Sequence, residues 1–294
     1  MSAKRKALSE IKHVGVIGSG TMGHGIAQVS AMAGYSVSLY DVDQALLDKA
    51  LQRIAANLEK GVSLGKVEPQ LRDRALSLIS TTTRLAEAAA HADLIVEAAP
   101  EKMDLKRELF TQLDRASPPH ALLATNTSSL SINRIAEATQ RPELVLGMHF
   151  FNPVHIMKLL EIVRTEKTGD EVIEAARSVG LAMGKTPIVV KNSPGFATSR
   201  LGLTLGLEAT RMLDEGVASV EDIDTAMELG YGHPMGPFKL ADLVGLDVRL
   251  AISEYMYRET GSELFKPSAT LKRLVAEGKL GKKTGQGFYK WDKD

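Results

Sequence analysis

The sequence predicts an α/β protein, in which a doubly wound, mainly parallel sheet is followed by an all-α C-terminal domain. In the first part of the chain, short apolar segments alternate with helical patterns, which is typical of parallel strands joined by crossover helices. From residue 193 onward the pattern is helical to about residue 277. We therefore expect two domains, residues 1–192 and 193–294, as is common for a chain of 294 residues.

The composition excludes several classes of function. Lys plus Arg and Asp plus Glu number 36 each, so nothing indicates a nucleic-acid or membrane surface. The absence of cysteine excludes disulfides and thiol nucleophiles, and the seven histidines form no metal-binding motif, so we expect no metal. No apolar signal core precedes the first strand, and no apolar segment approaches the ~20 residues that span a bilayer. We expect a cytoplasmic protein.

The first forty residues carry a dinucleotide-binding pattern. A short buried strand, Val14–Ile17, precedes Gly18, Gly20 and Gly23, then a helix of small residues, then a second strand that ends at Asp41. The three glycines permit a tight turn, close approach of a pyrophosphate and close helix packing, respectively. A glycine-rich turn that binds nothing is the alternative, but strand, helix, strand and acid in this order favour a Rossmann-type domain.

Asp41 favours NAD over NADP. Its carboxylate is placed to accept hydrogen bonds from a ribose diol, and its charge would repel a 2′-phosphate. None of the three residues that follow it is an arginine that could accommodate that phosphate. Within the glycine-rich turn, Thr21 and Met22 are further candidates for cofactor contacts.

The remaining elements follow in order. A long helix is predicted at about 43–60 and another to about 77. The later strand-like segments are “SLIST”, “ADLIVEAA”, “ALLATNT”, “LVLGMHF”, “KLLEIV” and “TPIVVK”. Close pairing of “LVLGMHF” with “KLLEIV” predicts that one of the last strands is antiparallel. The C-terminal helical segments are “RLGLTLGLEATRMLDEG”, “SVEDIDTAMELG”, “GPFKLADLVGLDVRLAISEYMYRE” and “PSATLKRLVAEG”. Gly202 and Gly206 would allow close helix approach, either within the domain or between subunits.

The segment “MHFFNPVHIMKLLEI” places two histidines and a glutamate in an apolar run. His149 closes a predicted strand, and ligands bind at strand ends in such sheets. Glu161 lies on the next strand, where it could fix the imidazole tautomer and stabilise the imidazolium. Because His155 has no comparable partner, we interpret it as a solvated or packing residue. His149 is the candidate general base for oxidation of an alcohol.

A second polar cluster, in “ATNTSSLSINRIAEA”, follows another predicted strand. Ser128 or Ser129 could cap the helix that comes next. Equally, a hydroxyl at this strand end could donate a hydrogen bond to a substrate oxygen.

Several motifs along essentially the whole chain together indicate a family. They are “VGVIGSGTMGHGIAQ”, “ADLIVEAAPE”, “NTSSLSI”, “GMHFFNPVHIMKLLEIV”, “SPGFATSR”, “DIDTAMELGYGHPMGPFKLADLVGLD” and “GKLGKKTGQGFYKW”. In these motifs the chain resembles the L-3-hydroxyacyl-CoA dehydrogenases, including the bacterial 3-hydroxybutyryl-CoA dehydrogenases. The resemblance implies that His149 is the general base, that Glu161 orients it, and that His155 has no such role. It also implies that Ser128 contacts the substrate oxygens and lies near the nicotinamide.

The resemblance implies further contacts that the residues alone would not have indicated. The implied cofactor contacts are Glu101, Lys106, Asn152 and Lys283. The implied coenzyme A contacts are Asn57, Lys60 and Lys66. Without the resemblance these residues would be interpreted as helix-surface charges, a turn asparagine and solvated lysines.

The chain departs from the family pattern at one position. Many members carry asparagine before the arginine of “PGFxxNR”, whereas this chain has Ser199 there. Serine still offers a donor and an acceptor but is shorter, so a bridging water or a shifted substrate is expected. We group Ser199 with Ser128 among the substrate-binding and catalytic candidates.

The predicted activity is NAD-dependent interconversion of an (S)-3-hydroxyacyl-CoA, 3-hydroxybutyryl-CoA in particular, and the 3-oxoacyl-CoA, within fatty acid metabolism and β-oxidation. The resemblance implies a substrate cleft and homodimerisation through the helical domain. Two alternatives are an NAD-dependent dehydrogenase of a free hydroxy acid or sugar acid, and a non-catalytic structural relative. Gly18, Ser128, His149 and Glu161 together argue against the structural relative, because that role needs none of their chemistry.

Overall fold

The protein is described from a computed structural model, over residues 10–292. The chain divides into two compact units, the first ending at Ser193 and the second beginning at Pro194. The first unit contains a sheet with flanking helices, and the second is helical. The predicted fold class is confirmed.

The first unit contains eight strands and seven α-helices among its described residues. The strands are β1 His13–Ile17, β2 Ser36–Tyr40, β3 Ile79–Thr82, β4 Leu94–Glu97, β5 Leu122–Thr125, β6 Val145–Phe150, β7 Leu159–Arg164 and β8 Thr186–Lys191. The helices are α1 Gly23–Met32, α2 Gln44–Ser63, α3 Pro69–Ser77, α4 Leu85–Ala89, α5 Met103–Ala116, α6 Ile132–Ala136 and α7 Asp170–Ala182.

The eight strands form one sheet in the order β3-β2-β1-β4-β5-β6-β7-β8. Strands β1 to β6 are parallel, β7 is antiparallel to β6, and β8 is parallel to β7. The predicted antiparallel pairing of “LVLGMHF” with “KLLEIV” is confirmed as β6 with β7, and β8 also runs opposite to the first six strands. An apolar strand pattern is the same in either direction, so “TPIVVK” does not reveal the direction of β8, whose residues are half-buried or exposed.

The core of the first unit lies against the sheet. Strands β4 and β5 are buried at every position, as expected for central parallel strands covered by helices on both faces. Val16, Leu39, Ile54 and Leu146 belong to one apolar cluster and are each 0% exposed. This packing fixes the strand ends, at which the polar residues of the candidate site are located.

The second unit is built from five α-helices in its described part. They are α8 Thr198–Asp214, α9 Val220–Gly230, α10 Pro237–Val244, α11 Leu246–Thr260 and α12 Ala269–Ala276. The segment read as one helical stretch over 236–259 is two helices, because Gly245 adopts φ 101° between them. That φ lies outside the helical range and is readily adopted only by glycine. Leu203, Leu246, Met256 and Leu271 pack in one apolar cluster of this unit.

The residues 10–292 contain no helix that is both long and apolar enough to cross a membrane. The same residues contain no group of three or more histidine, aspartate or glutamate side chains that could hold a metal ion.

Candidate active site

The glycine-rich turn between β1 and α1 has the geometry of a phosphate-binding turn. Gly18 adopts φ 97°, and its N–H donates to the carbonyl of Tyr40 at 2.8 Å. A Cβ at Gly23 would lie 1.7 Å from the carbonyl oxygen of Gly18, so only glycine fits there. A Cβ at Gly20 would meet no atom within 4 Å, which leaves its backbone open to a ligand. These positions fit the pyrophosphate of a dinucleotide at the start of α1.

Asp41, directly after β2, is bound to the same turn. Its Oδ2 accepts hydrogen bonds from Ser19 N at 2.8 Å and from Ser19 Oγ at 2.7 Å, and its Oδ1 accepts from Val42 N at 2.8 Å. A carboxylate has about four acceptor positions, so one remains for a ribose hydroxyl. In the turn itself, Thr21 is exposed, while the side chain of Met22 packs against the core. The side chain of Met22 is half-buried, so part of it remains accessible beside its backbone.

Replacing Asp41 with asparagine is expected to raise KM for NADH about tenfold and to raise the activity ratio of NADPH to NADH. Asparagine keeps an acceptor for Ser19 but removes the charge that repels a 2′-phosphate. Asp43→Asn is the matched control: it removes one charge two residues away, and asparagine retains the helix cap that Asp43 provides to Ala45 N at 2.9 Å. An equal ratio of NADPH activity to NADH activity in the two variants would contradict the role of Asp41.

His149 and Glu161 lie directly opposite each other on the antiparallel strands β6 and β7. His149 Nδ1 is 2.7 Å from Glu161 Oε2, and the two side chains are 9% and 0% exposed. The ring of Phe151 lies 4.5 Å from the imidazole, centroid to centroid. With Nδ1 bound to a carboxylate, the tautomer is fixed so that Nε2 is the nitrogen that accepts a proton.

His155 lies in the connection between β6 and β7 and has a different environment. Its pKa is lowered by partial desolvation and then by the charges of His24, Lys185 and Lys60. No carboxylate bonded to His155 is described. This environment agrees with the interpretation of His155 as a residue outside the base pair.

Ser128 and Ser129 do not cap the helix that follows them. Helix α6 begins at Ile132 with Ser131 in the cap position, so the capping interpretation of the two serines was wrong. Instead, Ser128 N donates to Glu101 Oε1 at 3.1 Å, and Ser129 Oγ donates to the same oxygen at 3.3 Å. The turn after β5 is therefore organised by Glu101, a predicted cofactor contact.

Lys106 is almost completely buried, which the sequence did not indicate. Its ammonium lies 2.7 Å from Glu97 Oε1, 3.2 Å from the carbonyl of Ala99 and 3.5 Å from Glu101 Oε2. The side chains of Lys106 and Glu97 are 1% and 0% exposed. Glu97 was not among the predicted site residues; the only signal was a charge at the end of the apolar strand “LIVE”.

Asn126 is a second residue that the sequence reasoning missed. Its Oδ1 accepts a hydrogen bond from Phe150 N at 2.8 Å, which ties the turn after β5 to the end of β6 beside His149. The short spacing between Asn126 and Ser128 in the “TNTSS” motif is the only sequence signal for this contact.

Most of the other predicted contacts of the first unit are exposed. Asn152 is exposed in the connection after β6, and Lys66 is exposed in the loop after α2. Asn57 on α2 is half-buried, and its amide nitrogen donates to Gln28 Oε1 at 3.2 Å. Lys60, on the same helix as Asn57, is exposed.

Two predicted residues lie in the second unit. Ser199 is half-buried in the first turn of α8. Lys283 Nζ lies 2.6 and 2.7 Å from the two carboxylate oxygens of Asp247, and this contact lowers the pKa of Asp247. Within this unit, Lys283 is thus held by a carboxylate at the start of α11.

Comparison with known proteins gives matches over both units. Residues 13–193 match the family model of the 3-hydroxyacyl-CoA dehydrogenase NAD binding domain, and residues 195–291 match that of the C-terminal domain. A probable 3-hydroxybutyryl-CoA dehydrogenase of Bacillus subtilis is 43% identical over 283 residues, covering 96% of this chain and 98% of that protein. The human mitochondrial hydroxyacyl-coenzyme A dehydrogenase is 44% identical over 288 residues, covering 96% and 91%. The crystal structure of (S)-3-hydroxybutyryl-CoA dehydrogenase from Ralstonia eutropha superposes with a TM-score of 0.93 at 40% identity, covering 97% and 100%.

Proposed function

This chain belongs to the 3-hydroxyacyl-CoA dehydrogenase family and is an NAD-dependent dehydrogenase, and on that premise we propose that it interconverts (S)-3-hydroxyacyl-CoA and 3-oxoacyl-CoA. The four-carbon substrate, 3-hydroxybutyryl-CoA, is proposed from the relatives that carry this name. The observation that carries the proposal is the contact of 2.7 Å between His149 Nδ1 and Glu161 Oε2 at the end of β6.

His149 is proposed as the general base. In the oxidation direction, Nε2 accepts the proton of the substrate hydroxyl, and the buried carboxylate of Glu161 stabilises the imidazolium that results. Bound NAD supplies the hydride acceptor. In the reverse direction the imidazolium returns the proton to the carbonyl oxygen of the 3-oxoacyl group.

Ser128 is proposed to donate a hydrogen bond to the reacting oxygen of the substrate. Its backbone N–H is held by Glu101 Oε1 at 3.1 Å, whereas the separation of its hydroxyl from the same oxygen is 3.5 Å, at the limit of a hydrogen bond. The backbone is thus fixed while the hydroxyl can turn towards a substrate. Asn152, Lys283, Asn57, Lys60 and Lys66 keep the roles that the family resemblance implies, as proposals.

The proposed activity is tested by mixing the purified protein with acetoacetyl-CoA and following the oxidation of NADH and of NADPH separately. Rapid NADH oxidation would support both the substrate class and the role of Asp41. Two further assays distinguish this activity from that of a dehydrogenase of free acids. Free acetoacetate is offered as the substrate in place of acetoacetyl-CoA, and coenzyme A is added as an inhibitor. Activity with the free acid, and no inhibition by coenzyme A, would contradict the proposal.

Ser199→Asn is expected to change the preference among acyl-chain lengths, because asparagine reaches further than serine and would displace a bridging water. We expect kcat/KM ratios between C4 and longer 3-oxoacyl-CoA substrates to change several-fold, since one added or lost hydrogen bond is worth about 1 kcal/mol. Thr204→Ser, a small change at another half-buried position of the same helix, is the control. If Ser199→Asn has the same kcat/KM ratios between acyl lengths as the wild type, a substrate role for position 199 is contradicted.

A homodimer, a cytoplasmic location and a role in fatty acid β-oxidation are proposed from the family resemblance. For the dimer, Leu201 and Leu205 are 66% and 42% exposed one turn apart on α8. A Cβ at the neighbouring Gly206 would meet no other described element within 4 Å, so packing within this unit does not account for that glycine. A solution mass equal to one chain would contradict the dimer.

A further inference from the structure

The buried ion pair between Glu97 and Lys106 lies directly beneath the carboxylate of Glu101. Glu97 ends β4, and Lys106 is in the first turns of α5, so the pair joins a strand end to the following helix. Glu97 Oε1 accepts from Lys106 Nζ and from Ala99 N, both at 2.7 Å, and Glu97 Oε2 accepts from Thr125 Oγ1 at 2.7 Å. Glu97 therefore fixes the ends of two neighbouring strands and one cation.

Two of the three donors of Lys106 are taken by hydrogen bonds within the protein, and the third faces Glu101. An ammonium group has three N–H donors. Three acceptors surround it here, namely Glu97 Oε1, the carbonyl of Ala99 and Glu101 Oε2, and the side chain is 1% exposed. A direct hydrogen bond from Lys106 to the nicotinamide ribose would use the donor that faces Glu101, on a side chain that is only 1% exposed. Its charge can act on the cofactor through Glu101 instead.

Glu101 is the exposed end of this network, with 39% of its side chain accessible. Its Oε2 faces Lys106 at 3.5 Å, while its Oε1 accepts hydrogen bonds from Thr127 Oγ1 and Ser128 N. One ammonium between two carboxylates leaves one net negative charge. Glu101 is the accessible carboxylate of the two, so it is the one that can accept hydrogen bonds from ribose hydroxyls.

We propose that Glu97 is a positioning residue that holds Lys106 beneath Glu101, so that Glu101 binds the cofactor and the Ser128 turn at once. This inference rests on the proposed function, because it takes the cofactor and substrate roles of Glu101 and Ser128 from it. Without Glu97, the ammonium of Lys106 loses its closest acceptor, and Glu101 loses the fixed cation that orients it. Cofactor affinity and substrate affinity should then fall together.

The experiment measures the dissociation constant of NADH by fluorescence, together with kcat and both KM values, for Glu97→Gln, Lys106→Met and the double variant. Glu97→Gln is expected to raise the dissociation constant of NADH and KM for acetoacetyl-CoA about tenfold, with kcat changed less than threefold. The double variant is expected to bind NADH no more weakly than the weaker of the two single variants, because both act through Glu101.

Asp114→Asn is the matched control for a purely structural effect. Asp114 lies eight residues after Lys106 on α5, roughly 12 Å along the helix axis. It forms a second ion pair of low exposure, with Arg141 at 2.8 Å. This variant should lower the melting temperature and leave the dissociation constant of NADH within twofold of the wild type. An equal rise of the dissociation constant of NADH in Asp114→Asn and in Glu97→Gln would overturn the proposal.

The double variant keeps the test decisive if Glu97→Gln does not fold, because it leaves neither charge buried alone. Wild-type NADH affinity in the double variant, or in Glu97→Gln, would overturn the positioning role. If the two single changes multiply their effects on the dissociation constant of NADH in the double variant, Glu97 does not act through Lys106, and the proposal is overturned. Failure of the wild-type protein to bind NADH or to reduce acetoacetyl-CoA would instead contradict the proposed function, so the two failures are distinguishable.

Discussion

Replacing His149 with glutamine is expected to lower kcat about 10³-fold and to leave the dissociation constant of NADH within twofold of the wild type. A positioned general base contributes typically 10²–10⁴-fold to a rate, and glutamine cannot accept the substrate proton at neutral pH. Glutamine is preferable to alanine because its amide can still donate to Glu161, whose side chain is 0% exposed. An unpaired buried carboxylate would add a loss of stability to the loss of chemistry.

His155→Gln is the matched control, since it changes the other histidine of the same stretch. His155 has no described carboxylate partner, so we expect kcat within about twofold of the wild type, the scale of a surface substitution of ±0.5 kcal/mol. The two variants are compared by steady-state reduction of acetoacetyl-CoA, with NADH fluorescence as the measure of cofactor binding. Substantial activity in His149→Gln, or a comparable loss in both variants, would remove His149 as the base.

The location of the His149–Glu161 pair was predictable because it depends on strand patterns. Both residues lie in apolar segments with strand-like composition, and the segments are too close along the chain for a crossover helix. Antiparallel pairing then places the two residues opposite each other, as the register of β6 and β7 confirms. Which nitrogen faces the carboxylate depends on side-chain geometry, and the sequence carries no signal for it.

The ion pair of Glu97 with Lys106 could not be predicted in the same way. The partners belong to different elements, and their contact depends on how α5 packs over the end of β4. Lysine on a helix is usually solvated, so the base rate argues against burial. The capping alternative for Ser128 and Ser129 failed for a related reason, because the sequence does not show that Glu101, which follows another strand, accepts their hydrogen bonds instead.

The second prediction concerns the glycine-rich turn and separates folding from cofactor binding. Gly23→Ala is expected to destabilise the protein by about 3 kcal/mol and to abolish measurable NADH binding. The added Cβ would lie 1.7 Å from the carbonyl oxygen and 2.7 Å from the carbonyl carbon of Gly18. Both are backbone atoms, so α1 must move away from β1, and the turn between them loses its shape.

Gly20→Ala is the matched substitution in the same turn, with the opposite expectation for stability. Its Cβ would meet no atom of the protein within 4 Å, and φ at Gly20 is not positive. Stability should therefore be unchanged or raised by roughly 0.4–1 kcal/mol, because alanine restricts the unfolded chain. The methyl group would occupy the space through which a pyrophosphate approaches the backbone, so the dissociation constant of NADH should rise at least tenfold. Thermal unfolding and NADH fluorescence measure the two effects separately. Unchanged NADH affinity in Gly20→Ala would mean that the phosphates do not approach this glycine, and the cofactor assignment of the turn would fail even if Gly23→Ala behaved as expected.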